Sequence, residues 1–351
     1  MRVMMFAALA ATGGLFASVL PVRVRAQAGP EISGPYVHEN LAIYFVHGQS
    51  KEGPVPLTLQ EALERGTVHV VETGSVNELK VENLGNEDVF IQSGDIVKGG
   101  RQDRVLTASF VLPSKSGEVP IAAYCVEHGR WSKRGTEDAG RFSSSINALP
   151  SRAAKLAMKA AAQPPKAAPS PERNYAVNET MTRQQAMWDE VSKTQYKLAA
   201  GIAAPVASPV SASSLELTLE NEKLAARRAE YLKALEDKGV EAGITGFVFA
   251  VNGRINSADI YPSNGLFRKM WAKLIAAAVT EALGEKTDGG AAQAPSIEAV
   301  KDFLKASAEG RTNAQEIGSL AKEITQESSG VLYTEAATPS GQWLHRNYLA
   351  K

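Results

Sequence analysis

Between residues 68 and 126 the chain runs through short segments rich in β-branched and aromatic residues: 68–73, 78–84, 88–92, 105–112 and 120–126. Turn-forming residues such as Asn83, Gly85, Asn86, Ser114 and Gly117 separate them. That pattern predicts strands. The connections are too short for crossover helices, so the strands must pair mainly antiparallel. This excludes a doubly wound parallel sheet for the first half and confines helices to the remainder.

The rest of the chain supplies them. Residues 56–66 read as a short helix, with Thr58 and Glu61 as a capping box and Gly66 as the stop. Residues 151–174, rich in Ala, Lys and Pro, predict a flexible excursion, and 203–214 a second one. Between them a helix carries Trp188, Val191 and Leu198 on one face. Residues 215–238 predict another, with Glu220, Glu222, Lys223, Arg227, Arg228 and Glu230 on a solvated face. Apolar alternation over 244–251, then Asn252-Gly253, then 254–261 predicts a hairpin with a type I′ turn. Leu266, Phe267, Met270, Trp271, Leu274, Ile275, Val279 and Leu283 recur at helical spacing, with Arg268, Lys269 and Lys273 opposite. After a linker at 284–295, Ser296 caps a helix bearing Val300 and Phe303, and Asn313 with Glu316 predicts a further helix bearing Ile317, Leu320 and Ile324. A closing hairpin is expected from 331–336 and 342–348. Strands at each end with helices between them favour one α+β domain over 30–351, with a largely antiparallel sheet and packed amphipathic helices.

Charge narrows the function. Lys+Arg and Asp+Glu both number 38, which argues against a nucleic-acid binder. Arg2, an apolar run over 3–22 and small residues at Ala26-Gln27-Ala28 read as a signal peptide over 1–28, so the expectation is an exported protein, periplasmic or secreted. The alternative is an uncleaved membrane anchor; no later segment is apolar enough to span a bilayer. Cys125 is the single cysteine, which leaves no internal disulfide and puts stability on the core. His38, His47, His69, His128 and His345 show no metal-ligand spacing. The cofactor, if any, is left open, including a metal held by residues distant in sequence. Asn178-Glu179-Thr180 matches a glycosylation acceptor, taken here as chance.

Two polar stretches interrupt the strand-like sequence. The first runs Gly94-Asp95-Ile96-Val97-Lys98-Gly99-Gly100-Arg101-Gln102-Asp103-Arg104, the second Cys125-Val126-Glu127-His128-Gly129-Arg130-Trp131. Glycines permit a tight turn whose N–H groups suit an anion. Lys98, Arg101, Arg104 and Arg130 add positive charge, Gln102 and Glu127 hydrogen-bonding capacity, and Trp131 a stacking wall. Asp95 or Glu127 are candidate general bases. The competing reading is strands knit together by ion pairs. Cys125 reads first as a small buried apolar residue, with a thiolate nucleophile activated by Arg130 or His128 as the alternative that makes it a possible addition to the site. Asp259 and His345 are possible additions: Asp259 ends the hairpin or caps the next turn, and His345 stands on the last strand as a sheet histidine or a base.

These stretches, with Asn252-Gly253, Asp259 and Leu266-Phe267-Arg268-Lys269-Met270-Trp271, resemble the domain family named for association with ADP-ribosylglycohydrolase and rhodanese-phosphatase proteins, over roughly 34–348. The resemblance implies a link to ADP-ribose or nucleotide metabolism and assigns no catalytic residue. The sequence therefore predicts an exported domain that binds a small anionic ligand between the two stretches. A hydrolase using Asp95 or Glu127, and a structural or envelope-associated protein, are the alternatives. Protein partners are not indicated.

Overall fold

The computed structural model describes residues 30–159, 172–287, 292–306 and 310–351. The signal segment, the stretch 160–171 of the first excursion and 288–291 of the linker lie outside them. Strands and helices mix in an α+β fold whose sheets are largely antiparallel.

Both chain ends build the largest sheet. Its eight strands run in the order Glu31–His38, Leu41–His47, Ile244–Val251, Arg254–Ile260, Trp343–Ala350, Val331–Ala337, Ala321–Glu327, Arg311–Ile317. All neighbours are antiparallel. Asn252 and Gly253 have φ of +51° and +73°, the pair a type I′ turn needs. Ile244–Val251 alternates in sequence yet is buried at every position. The reason is that both faces are covered. On one face lies the helix Asn264–Gly284, capped by Ser263, where Trp271 packs edge-on against Phe45 and Phe247. On the other lies the helix Ile297–Lys305, capped by Ser296, with Val300, Phe303 and Leu304 against Tyr44, Val248 and Tyr348.

A second sheet has six strands, in the order Phe142–Ser143, Ile96–Gly99, Arg104–Leu106, Gly117–Cys125, Glu78–Asn83, Val68–Glu72. A small third sheet joins Leu57–Thr58, Val89–Ile91 and Phe110–Leu112. Leu57–Thr58 pairs parallel with Val89–Phe90, the exception to the antiparallel rule. The helix Leu59–Glu64 has the expected capping box between Thr58 and Glu61.

Several expectations need correction. The segment 105–112 is two strands in two sheets, Arg104–Leu106 and Phe110–Leu112, because the chain changes sheet at Thr107-Ala108-Ser109. Part of the excursion at 151–174 is the helix Arg152–Lys159, with Ala154 and Met158 one turn apart and buried; Ala and Lys are good helix formers when one face finds a core. The helix Glu172–Gly201 begins before 174 and buries Met187, Val191 and Leu198. The helix expected over 215–238 breaks after Leu219. Asn221 then accepts the N–H groups of Lys223 and Leu224 and starts Glu222–Leu235. Arg228, assigned to the solvated face, is buried, and so is Lys273.

The helix expected from Asn313 is instead the hairpin Arg311–Ile317 and Ala321–Glu327, turned at Gly318 with φ of +53°. Ala321–Glu327 pairs in turn with Val331–Ala337. Ladder bonds to an available sheet edge outweigh a local capping pattern, especially where Thr312, Ile317, Ile324 and Thr325 favour extended backbone.

Candidate functional site

The first polar stretch is a sharp link between Ile96–Gly99 and Arg104–Leu106. Gly99 and Gly100 have φ of +115° and +54°, and a Cβ on Gly100 would sit 2.3 Å from the Phe142 ring. Only glycine fits there without displacing that aromatic. The turn aims Asp103 inward, where it is fully buried. Its Oδ1 accepts from Gly99 N at 2.9 Å and its Oδ2 from Ser214 Oγ at 2.7 Å. Arg134 adds a two-pronged pair, Nη1 to Oδ2 at 2.9 Å and Nη2 to Oδ1 at 3.0 Å.

The second stretch closes the same knot. Glu127 is fully buried and accepts from Arg130 Nε at 2.8 Å, Ser211 Oγ at 2.6 Å and Asp103 N at 3.2 Å. Arg130 also donates to the carbonyls of Gly99 and Gly100 at 3.3 and 3.0 Å. Burial penalises the charged form of Glu127, but the Arg130 guanidinium, the Ser211 hydroxyl and the Asp103 N–H outweigh it and hold the carboxyl below its ordinary range. A carboxylate so stabilised is a weak base, and every lobe is occupied. Glu127 is therefore not placed to act as a general base, and Arg130 is spent on the knot.

Asp95 leaves this group. Its Oδ1 pairs with the buried Lys273 Nζ at 2.9 Å and its Oδ2 accepts from Gln92 N at 2.9 Å. It pins the sheet to the helix Asn264–Gly284 and is likewise not a free base. Lys98 turns outward to Glu220 at 2.7 Å. Cys125 is buried and its thiol is pushed up to about 11, mainly by desolvation, which leaves it a neutral thiol.

What remains is a pair of arginines beneath Trp131. Arg104 is fully buried, its Nη1 donates to the Gln102 carbonyl at 2.8 Å, and its Nη2 stands 3.5 Å from Glu72 Oε2. Yet Arg104 Nε and Nη2 have no hydrogen-bond partner among the described residues. The Arg101 and Arg104 guanidinium carbons lie 5.4 and 5.6 Å from the centre of the Trp131 ring. Trp131 itself is 42% exposed. The Gln102 side chain is buried beside them.

Asp259 and His345 meet in a third place. Asp259 Oδ1 accepts from His345 Nε2 at 3.0 Å and Asn347 Nδ2 at 2.9 Å. The other ring nitrogen, Nδ1, is 3.1 Å from Ser109 Oγ. Burial works against the Asp259 carboxylate, but His345 and then Lys155 keep it below its ordinary range.

Two clefts lie away from the two stretches. One of about 510 Å³ is lined by residues including Val55, Phe90, Leu266 and Leu344, and one of about 800 Å³ by residues including Lys159, Arg311 and Glu323. Neither is lined by the 94–104 or 125–131 stretches. Among the described residues, no group of three or more His, Cys, Asp or Glu is placed to hold a metal ion, and no helix is long and apolar enough to cross a membrane.

Sequence reasoning missed several residues that matter. Arg134 lies in a charged run after Trp131, and its spacing to Glu137 was a usable signal. Ser109, Lys273 and Glu216 gave none. Glu216 sits at a helix start with its carboxyl raised to about 7, first by burial, while Ser145 and Asn147 hydrogen bonds pull the other way. Its Oε2 has no partner among the described residues.

No curated protein and no solved structure gives a significant match to this chain. The family model of the ARG and Rhodanese-Phosphatase-superfamily-associated Protein domain, ARPP-1, matches residues 29–349 and so takes in the sheets, the ion-pair knot and the arginine pair alike; the chain belongs to that family.

Proposed function

We propose that this ARPP-1 protein is exported and binds a small anionic ligand at the face formed by Arg101, Arg104 and Trp131. One observation carries the binding reading: a fully buried guanidinium, Arg104, lies beneath an exposed tryptophan with no hydrogen-bond partner for Nε among the described residues and only a 3.5 Å ion-pair contact to Glu72 at Nη2. An unsatisfied buried donor costs free energy, more so when charged. A phosphate, sugar phosphate or carboxylate entering past Trp131 removes that cost and gains a two-pronged contact. Arg101, which makes no ion pair among the described residues, supplies the second charge. The export reading rests on the leader pattern over 1–28.

The test is a thermal-shift and calorimetric screen of the chain from Gln27 onward with inorganic phosphate, nucleotides, ADP-ribose and sugar acids. The expected result is stabilisation by one ligand class, lost in Arg101→Ala and weakened in Trp131→Ala. Stabilisation that survives both substitutions would sink this site.

The closed arrangement of Asp103, Glu127, Arg130 and Arg134 favours a second reading for the adjoining residues, as a structural clasp. Its bonds are all internal, so its role is to hold the two stretches in register beside the arginine pair.

A further inference from the structure

We propose that Ser109, His345 and Asp259 form a hydrolytic site for a small carboxylic ester, entered from the 800 Å³ cleft when the Lys159–Glu323 ion pair opens. The three residues come from separate parts of the chain: the sheet-changing link, the hairpin strand Arg254–Ile260 and the last strand.

The protons are arranged for base catalysis. Asp259 is an acceptor, so His345 Nε2 carries a hydrogen, and in the neutral imidazole Nδ1 is then the acceptor. Ser93 N donates to Ser109 Oγ at 2.9 Å, which takes one of that oxygen's two lone pairs and leaves its O–H uncommitted to Ser93. The hydroxyl proton is thereby free to point at Nδ1, 3.1 Å away. The Tyr261 ring stacks on the imidazole at 5.0 Å and Phe90 meets it edge-on at 6.1 Å, so aromatic rings pack the imidazole on two sides. This is the nucleophile, base and orienting-acid sequence that activates a hydroxyl, with the two imidazole nitrogens exchanged relative to the common triad.

A histidine that merely satisfied a sheet would need no space beside it. Here Ser109, His345 and Asp259 line a cavity of about 20 Å³ together with Lys155 and Lys159, room for roughly one water. Met158, Lys159 and Glu323 line both this cavity and the large cleft. Lys159 Nζ closes the boundary by binding Glu323 Oε2 at 2.6 Å and the Thr107 carbonyl at 2.7 Å. Parting that pair joins the two spaces and exposes Ser109.

In the reaction, Ser109 Oγ bonds to the ester carbonyl carbon as its proton passes to His345 Nδ1. The imidazolium is stabilised by Asp259. Collapse breaks the bond to the alcohol oxygen, which leaves with the proton from Nδ1. A water, deprotonated by the same nitrogen, then bonds to the acyl carbon; the acyl–Ser109 bond breaks, Ser109 Oγ takes the proton from Nδ1, and the acid is released. The ammonium groups of Lys155 and Lys159 in the wall favour an acyl group that carries a negative charge.

Diisopropyl fluorophosphate tests this on the full chain: Oγ bonds to phosphorus, fluoride leaves, and the proton goes to Nδ1. Intact mass and peptide mapping should place one diisopropylphosphoryl group on Ser109. Labelling should be several-fold faster in Lys159→Ala, absent in Ser109→Ala, and about 100-fold or more slower in His345→Gln. If Lys159→Ala fails to fold by circular dichroism, Glu323→Ala removes the acceptor on the other side of the same boundary. A folded, opened variant without label on Ser109 overturns the proposal, as does labelling at a rate indifferent to His345.

Discussion

Two buried polar clusters in this molecule are built on opposite plans. The clasp around Asp103 and Glu127 is made of full charges drawn mostly from neighbouring sequence, and every carboxylate oxygen is occupied. The chain of Ser109, His345 and Asp259 holds a single carboxylate, is drawn from remote sequence, and keeps one face on a cavity. The contrast separates holding from acting. A saturated ion-pair network fixes geometry but has no lone pair or proton to offer. A relay with one open side has both. Polar density in the sequence pointed to the first cluster; the second lines a cavity of about 20 Å³.

Breaking the clasp should give the largest effect. Arg134→Ala leaves Asp103 and Glu127 under-compensated in the interior, and the expected loss is about 3–5 kcal/mol, read as a drop in the urea midpoint. A loss near that of a surface substitution would show that water fills the gap and that the clasp is loose.

Next comes Glu216, beside the clasp. Its folded pKa of about 7 lies above the ordinary carboxyl value. Between roughly pH 4.5 and 7 the unfolded chain has released this proton and the folded one retains it, so this group's contribution falls as pH rises through that window and then levels off. Glu216→Gln keeps an acceptor for Ser145 and Asn147 and removes the titration. Its gain over the wild type should grow with pH across the window to on the order of 3 kcal/mol. A gain that is flat with pH would mean Glu216 ionises normally in the fold.

His345→Gln should cost less stability than Arg134→Ala, about 1–3 kcal/mol, since one buried hydrogen-bond chain is broken without stranding two charges. If it costs as much, the relay is as structural as the clasp. Smallest of all is Arg101→Ala. Its guanidinium is only half-buried and makes no ion pair, so stability should change by under about 0.5 kcal/mol, while the response to an anionic ligand disappears. A large destabilisation would move Arg101 into the clasp and out of the proposed site.

Much of the scaffold was legible in the sequence. Asn252-Gly253 has one good solution, a positive-φ pair between two strands, and it formed. Thr58 with Glu61, and Ser296, capped the helices they announced. The failures share a cause. Asn313 with Glu316 carries the same local code as Thr58 with Glu61, but the segment pairs with Ala321–Glu327, which itself extends the sheet edge at Val331–Ala337. Lys273 sits among polar positions of an amphipathic helix, yet Asp95 waits across the interface. The candidate site was legible only as a neighbourhood. Glycines and charges marked the two stretches, while the identity of each partner depended on residues up to 236 positions apart, as for Ser109 and His345.

The sequence by itself determined the α+β composition, the antiparallel pairing, the main hairpins and the family, because turn chemistry, caps and side-chain periodicity act over a few residues. The tertiary structure alone decided which charges were consumed and which were left over. That follows from the physics of burial: a charge in the interior is acceptable only with a partner, and the partner is chosen by the meeting of faces that no local pattern encodes. Arg130 and Arg104 look alike in the sequence; packing gave one a full set of acceptors and left the other, among the described residues, with no hydrogen-bond partner at Nε and a 3.5 Å ion-pair contact at Nη2.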